Sequence, residues 1–95
     1  MSPREIMLRD SSEFLRFENV KQPKSTRPDL HAFLLLDEIC PTDSQGVLAS
    51  ADHDEVWLSF DPDLAFVRMT EEQTWDLKRC GVMYDASYNR FQMFV

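Results

Sequence analysis

The sequence predicts an α+β fold in which two or three helices pack on a small antiparallel sheet that ends in a C-terminal β-hairpin. Three observations support this fold class. Residues 71–80 carry helix signals at both ends, residues 55–60 alternate apolar and polar side chains, and residues 82–95 contain two strand-like runs around a turn. Elements of these two kinds reach stability by packing as layers around one core.

At the amino end, residues 2–5 predict a helix start, because serine is a good cap and proline suits the first helical position. This helix runs to about Phe17 or breaks near Asp10, and a strand over residues 14–20 is the alternative. Residues 21–29 contain two prolines and small polar side chains, which is typical of a loop.

Residues 30–40 predict a second helix, rich in leucine and stopped by Pro41. Thr26 is the candidate cap, and Asp29 lies where the helix dipole favours an anion. The segment is apolar almost all round, so we expect it to be the most buried helix. A buried strand is the alternative, because short apolar runs do not distinguish the two.

The middle of the chain predicts strands. Residues 47–50 form a short candidate strand and residues 55–60 a better one. Residues 61–63 end the second strand, and residues 64–69 form a connector, a helical turn or another strand. The longer strand places three residues on one face and two on the other: Val56, Leu58 and Phe60 against Trp57 and Ser59.

Residues 71–80 form the best-defined element. Thr70 and Gln73 make a capping box, and Gly81 follows as the left-handed terminator. We expect the inward residues to be Leu77, Cys80 and either Gln73 or Trp75. A hairpin then follows, with strands at 82–84 and 90–95.

Length and composition define the class of protein. The chain has 95 residues, 43% of them hydrophobic, which suits a single domain over residues 1–95 and is too apolar for a disordered chain. Its longest apolar run, residues 32–36, is far short of a membrane span, and the charged amino end does not resemble a signal peptide. We therefore expect a soluble, cytoplasmic protein that does not bind membranes.

The two cysteines, Cys40 and Cys80, also favour a reducing compartment, since secreted domains of this size usually carry more. Whether they are reactive or buried is not decided by the sequence, and a Cys40–Cys80 disulfide is the alternative to free thiols.

The acidic residues are concentrated in the middle of the chain. The formal net charge is −7, yet residues 1–27 hold six basic and four acidic side chains. Residues 28–67 hold nine acids and no lysine or arginine. Such a stretch repels nucleic acid and attracts basic protein surfaces, although it also serves simply as a solvated face.

The chemistry-bearing residues point to binding rather than catalysis. Two glycines and two histidines leave little for a phosphate cradle or an acid–base site, so we expect no enzyme activity and no cofactor. The cluster at residues 52–55 contains oxygen and imidazole ligand types, which makes a metal-dependent site an alternative. Its spacing matches no calcium loop or zinc signature.

Residues 70–95, with their helix–glycine–hairpin pattern, resemble the ends of small uncharacterised proteins encoded by phages and mobile elements. This resemblance implies no defined activity and no site residues. Small acidic proteins of that origin resemble, as a class, inhibitors of host defence such as anti-CRISPR and anti-restriction proteins. Many of these act by occupying a basic groove on a host protein, and they work in the host cytoplasm.

The functional hypothesis is therefore a small acidic inhibitor or modulator that docks on a basic surface of a host nucleic-acid-handling protein, without binding nucleic acid itself. The residues expected to bind the partner are Asp52, Asp54, Glu55, Trp57, Asp61 and Asp63. The alternative is an assembly subunit that homo-oligomerises through the exposed face of the terminal hairpin, with Tyr88 and Phe94 at the contact.

Overall fold

A computed structural model of the chain describes residues 2–42 and 46–94. These residues form four α-helices, one 3₁₀ turn and four strands. The helices are α1 (Pro3–Arg9), α2 (Pro28–Ile39), α3 (Pro62–Arg68) and α4 (Glu71–Arg79), and the 3₁₀ turn spans Phe17–Asn19. The strands are β1 (Leu48–Asp52), β2 (Glu55–Leu58), β3 (Met83–Asp85) and β4 (Arg90–Phe94).

The four strands make one antiparallel sheet in the order β1-β2-β4-β3. The C-terminal hairpin therefore lies beside the central hairpin, with Val56 opposite Met93 and Trp57 opposite Gln92. The predicted α+β class is confirmed, with four helices instead of two or three. Val95, expected at the end of the last strand, lies outside the described residues.

The helices cover one face of this sheet. Val56, Leu58, Phe91 and Met93 are buried on that face, in one cluster with residues from the helices. The aromatic rings of Phe66, Tyr84 and Phe91 meet edge to face at centroid distances of 5.1–6.2 Å. Edge-to-face contact stabilises this arrangement of the rings, in addition to the stabilisation that comes from burying their apolar area.

Helix α1 begins as predicted, because the Ser2 hydroxyl accepts a hydrogen bond from the Glu5 N–H. It ends at Arg9 with Asp10 as its C-cap, so the predicted break near Asp10 is confirmed and the longer helix to Phe17 is wrong. The strand considered over residues 14–20 does not form, since turns and the 3₁₀ turn occupy that stretch.

Two features of α2 differ from the prediction. The cap residue is Arg27, not Thr26, and it makes no side-chain capping bond. Arg27 precedes Pro28, whose ring confines the preceding residue to extended backbone, so the helix starts at the proline itself. The helix is also less enclosed than expected: Leu30 and Leu34 are 44% and 42% exposed. The buried-strand alternative is wrong.

Residues 64–68 are helical, and Met69 is the extended C-cap. Asp61 caps α3 by accepting a hydrogen bond from the Asp63 N–H at 3.0 Å, and Pro62 is the first helical residue. A capping serine or aspartate followed by proline starts both α1 and α3. The local sequence therefore accounts for where each of these helices begins.

Helix α4 has the capping box predicted for it, with Thr70 and Gln73 each bonding the other's backbone N–H. Gly81 follows at φ +93°, and a Cβ there would lie 2.7 Å from a Leu15 methyl carbon. Leu77 and Cys80 are buried as expected, but the third inward residue is Thr74, not Gln73 or Trp75. The Thr74 hydroxyl donates to the Thr70 carbonyl at 2.8 Å, which satisfies it within the helix.

A buried ammonium joins the first helix to the last. Lys78 is 5% exposed, and its Nζ donates to the carbonyls of Ile6 (3.0 Å) and Met7 (3.2 Å) near the end of α1. The Ile6 carbonyl also accepts from the Asp10 backbone N–H at 3.3 Å. Carbonyls at the end of a helix lack partners within the helix, so for the Met7 carbonyl the lysine supplies a donor where one is needed. Burial lowers the pKa of Lys78.

Candidate protein-interaction surface

The β1–β2 hairpin presents a group of three acids, which we call the acidic tip: Asp52 and Asp54, which are exposed, and Glu55, which is half-buried. His53 lies in the turn between them at φ +38°, a left-handed conformation that a non-glycine residue adopts at a cost. The side chains of Asp52 and His53 are 73% and 92% exposed. Among residues 2–42 and 46–94, no lysine or arginine forms an ion pair with the acidic tip.

Asp61 and Asp63, predicted as part of the same surface, lie beyond the other end of β2 and have structural contacts. Asp61 caps α3. Asp63 accepts from the Arg4 guanidinium at 2.9 Å and from the Asn89 amide at 3.2 Å. Asp63 is neutralised by Arg4, and the Asp61 carboxylate is occupied as a helix cap. The acids of the predicted surface that have neither kind of contact in the described structure are therefore those of the acidic tip.

Trp57 lies on the face of the sheet that the helices leave open, opposite Ser50 on β1 and Gln92 on β4. It lines a groove of about 520 Å³ with Ala49, Ser50, Tyr88 and Arg90, which we call the open-face groove. The indole Nε1–H is enclosed and has no acceptor among the described residues. Tyr88 is 74% exposed and Phe94 is 56% exposed.

The sequence indicated Trp57 and the acidic tip but did not place Arg90 beside the tryptophan. That neighbour depends on the pairing of β2 with β4, which joins residues more than 30 positions apart. The register of two separate hairpins is set by the packing of the buried face, so it leaves little local signal. The exposed edge of β1 was missed for the same reason.

The two cysteines are free and buried. Burial raises the pKa of Cys80 to about 12, so its thiol stays protonated and is a poor nucleophile at neutral pH. Cys40 lies with its Sγ 3.8 Å from the Asp61 carbonyl oxygen. The disulfide alternative is therefore not formed in this structure.

In the charged cleft beside His31, most of the charged side chains form ion pairs with one another. Lys24 pairs with Glu38 at 2.7 Å, and Arg79 pairs with Glu72 at 3.2 Å and Asp76 at 2.8 Å. The His31 Nδ1 accepts a hydrogen bond from the Lys24 backbone N–H at 2.9 Å. In the part of the chain that the structure describes, no group of three histidine, cysteine or acidic side chains is arranged to hold a metal ion.

No protein-family model, curated protein or solved structure matches the chain. Its function must therefore be inferred from its own geometry. None of the described helices has the length and apolar character needed to cross a bilayer.

Proposed function

We propose that the chain is a small non-catalytic binding protein whose acidic tip docks on a basic surface of another protein. The observation that carries this proposal is the acidic tip itself, with three carboxylates that lack a lysine or arginine partner in the described structure. Charges arranged in this way steer encounter with a surface of opposite sign and fix the orientation of docking.

The open-face groove supports the same proposal. Trp57 lies two residues from the acidic tip on the uncovered side of the sheet, and Tyr88 lines the far end of the groove, away from the tip. Buried interface anchors are enriched in these two residue types. An aromatic anchor supplies desolvated contact area, whereas the surrounding acids supply selectivity for a basic partner.

Two features favour a nucleic-acid-handling protein as the partner. Such proteins carry basic grooves that bind phosphate, and an acidic protein competes for them. The resemblance of residues 70–95 to proteins of phages and mobile elements points the same way, towards an inhibitor or modulator of host defence acting in the host cytoplasm.

The test compares two charge reversals of equal size. The double variant Asp52→Lys/Asp54→Lys changes the acidic tip, and Glu18→Lys/Asp37→Lys changes two exposed acids outside the hairpin. Partners captured from the native host are identified by mass spectrometry, purified, and titrated at low and high salt. We expect the tip variant to weaken binding at low salt by at least about tenfold, because steering is strongest when screening is weak.

The control variant should retain nearly the wild-type affinity, and the tip variant should show a shallower dependence on salt. Equal affinity of the two double variants would contradict docking through the acidic tip.

A second candidate function is homo-oligomeric assembly through the open face of the sheet. The exposure of Phe94 and Tyr88 favours it, because large apolar side chains are usually withdrawn from water. Light scattering at micromolar concentration separates the two functions, since a monomer at that concentration contradicts assembly.

A further inference from the structure

Strand β1 forms one edge of the sheet, and all five of its residues are exposed. It pairs with β2 on one side, and no described strand pairs with it on the other. An edge strand carries a row of backbone donors and acceptors that another extended chain can use.

The ladder shows which backbone groups of β1 face outward. The hairpin turn contains two residues, so the pair that closes it, Asp52 with Glu55, is the hydrogen-bonded kind. Pair types alternate along an antiparallel ladder. The next pair, Ala51 with Val56, is therefore the non-hydrogen-bonded kind, and the Ala51 N–H and C=O point away from β2.

Before Asp52, this edge lacks the charged and proline side chains that usually protect one. Residues 48–52 contain no lysine and no proline, and its bulge lies at the far end from the turn, between Leu48 and Ser50. The small side chains of Ala49 and Ser50, which line the open-face groove, leave it accessible from the edge. Adjacent strands lie roughly 5 Å apart, so a long side chain on an added strand reaches over β1 toward Trp57.

We propose, on the basis of the proposed function, that the docking element of the partner is an extended basic segment that adds to β1 as a fifth strand. The acidic tip beside Ala51 is complementary to lysine or arginine at one end of that segment. Arg90 in the open-face groove disfavours a second cation there, so the side chain that enters the groove is apolar. Main-chain pairing supplies affinity and the groove supplies specificity.

Charge complementarity favours this occupant over a second copy of the chain. Each copy carries a formal net charge of −7, and residues 28–67, which include β1 and the acidic tip, hold no lysine or arginine. Pairing two copies along β1 would bring like charges together without a basic residue on either edge.

The probe is a set of three pools of eight-residue synthetic peptides. The first pool has lysine at two alternate positions among strand-forming residues, the second has the same charge with a central proline, and the third has glutamate in place of lysine. Binding is read from Trp57 fluorescence in the full chain carrying Trp75→Phe, which leaves one tryptophan. Exchange of the Ala51 amide hydrogen is measured in parallel.

We expect the first pool to bind about tenfold more tightly than the second, the effect of one ordinary backbone hydrogen bond together with strand order. It should also slow exchange of the Ala51 amide. Ala51→Pro removes the outward N–H without touching the β1–β2 ladder and should reduce binding to the level of the second pool. Ala51→Val keeps the N–H and should bind as the wild type does.

The outcomes separate the inference from the proposed function. If both lysine pools bind equally and the Ala51 amide stays unprotected, strand addition is wrong while charge-driven docking stands. If neither lysine pool binds better than the glutamate pool, both are wrong. If the chain self-associates and Ala51→Pro dissociates it, the occupant of the edge is a second copy, which also overturns the inference.

Discussion

The two faces of the sheet are built from the same strands but differ in the burial and the contacts of their side chains. On the face covered by helices, Phe91 is fully buried among aromatic rings. On the open face, Phe94 of the same strand is 56% exposed and lies opposite Glu55. Alternation along a strand thus separates the residues that stabilise the fold from the residues available to a partner.

Polar groups follow the same division. Within the helical layer, Lys78 of α4 and His31 of α2 are buried and form hydrogen bonds with backbone groups. On the hairpin that borders the open face, the acidic tip is free of lysine and arginine partners in the residues described. Substitutions on the covered side should therefore change the free energy of unfolding, and substitutions on the open side should change partner binding.

The largest expected difference between the faces comes from two phenylalanines on one strand. Phe91→Ala leaves a cavity in the core and should lower the free energy of unfolding by about 3–5 kcal/mol. Phe94→Ala removes an exposed ring and should cost about 0.5 kcal/mol or less. Urea denaturation of both variants measures this difference, and similar losses for the two would mean that the open face is packed as well.

A smaller effect is expected from the buried ammonium. Lys78→Met keeps the length of the side chain but leaves the Met7 carbonyl without its donor, which should lower the free energy of unfolding by about 1–3 kcal/mol. Lys21→Met, at an exposed lysine, is the matched control and should change little. Equal stability of the two variants would show that Lys78 does not hold α1 in place.

The smallest effect should appear only on acidification. The His31 Nδ1 accepts a hydrogen bond, so the folded chain keeps the ring neutral, and burial lowers its pKa below the usual 6.5 despite the opposing effect of Asp76. Below pH 6.5 the unfolded chain binds a proton that the folded chain does not. The free energy of unfolding then falls by at most about 1.4 kcal/mol per pH unit until the lowered pKa is reached.

Urea titrations at pH 7.5, 6.5 and 5.5 measure this decline. His31→Gln cannot take up the proton and should flatten the profile over that interval. Asp52→Asn, on the open side, should leave the decline as it is in the wild type. A decline that survives in His31→Gln would assign it to another group.

The elements that the sequence predicted best are those with local signals at both ends. The capping box and Gly81 determined α4, and the alternation from Val56 to Leu58 determined β2. The predicted cap of α2, Thr26, is wrong because Pro28 confines Arg27 to extended backbone, which makes Arg27 the cap.

The candidate surface was predictable only in part. The acids of the tip lie within four consecutive residues, so the exposure of Asp52 and Asp54 at a turn could be expected. Asp61 and Asp63 resemble it in composition, yet Asp61 caps a helix and Asp63 binds Arg4, which lies 59 positions away. Contacts at such separations are decided by the packing of the whole chain, and a sequence pattern does not carry them.

The bond from Lys78 to α1 has a consequence for how the protein is made. Ile6 and Lys78 are 72 positions apart, so α1 leaves the ribosome long before its anchor exists. At about 5–20 residues per second, this delay is roughly 4–14 s. A seven-residue helix has little stability alone, so the first turns of the protein wait as unstructured chain until the last third is synthesised.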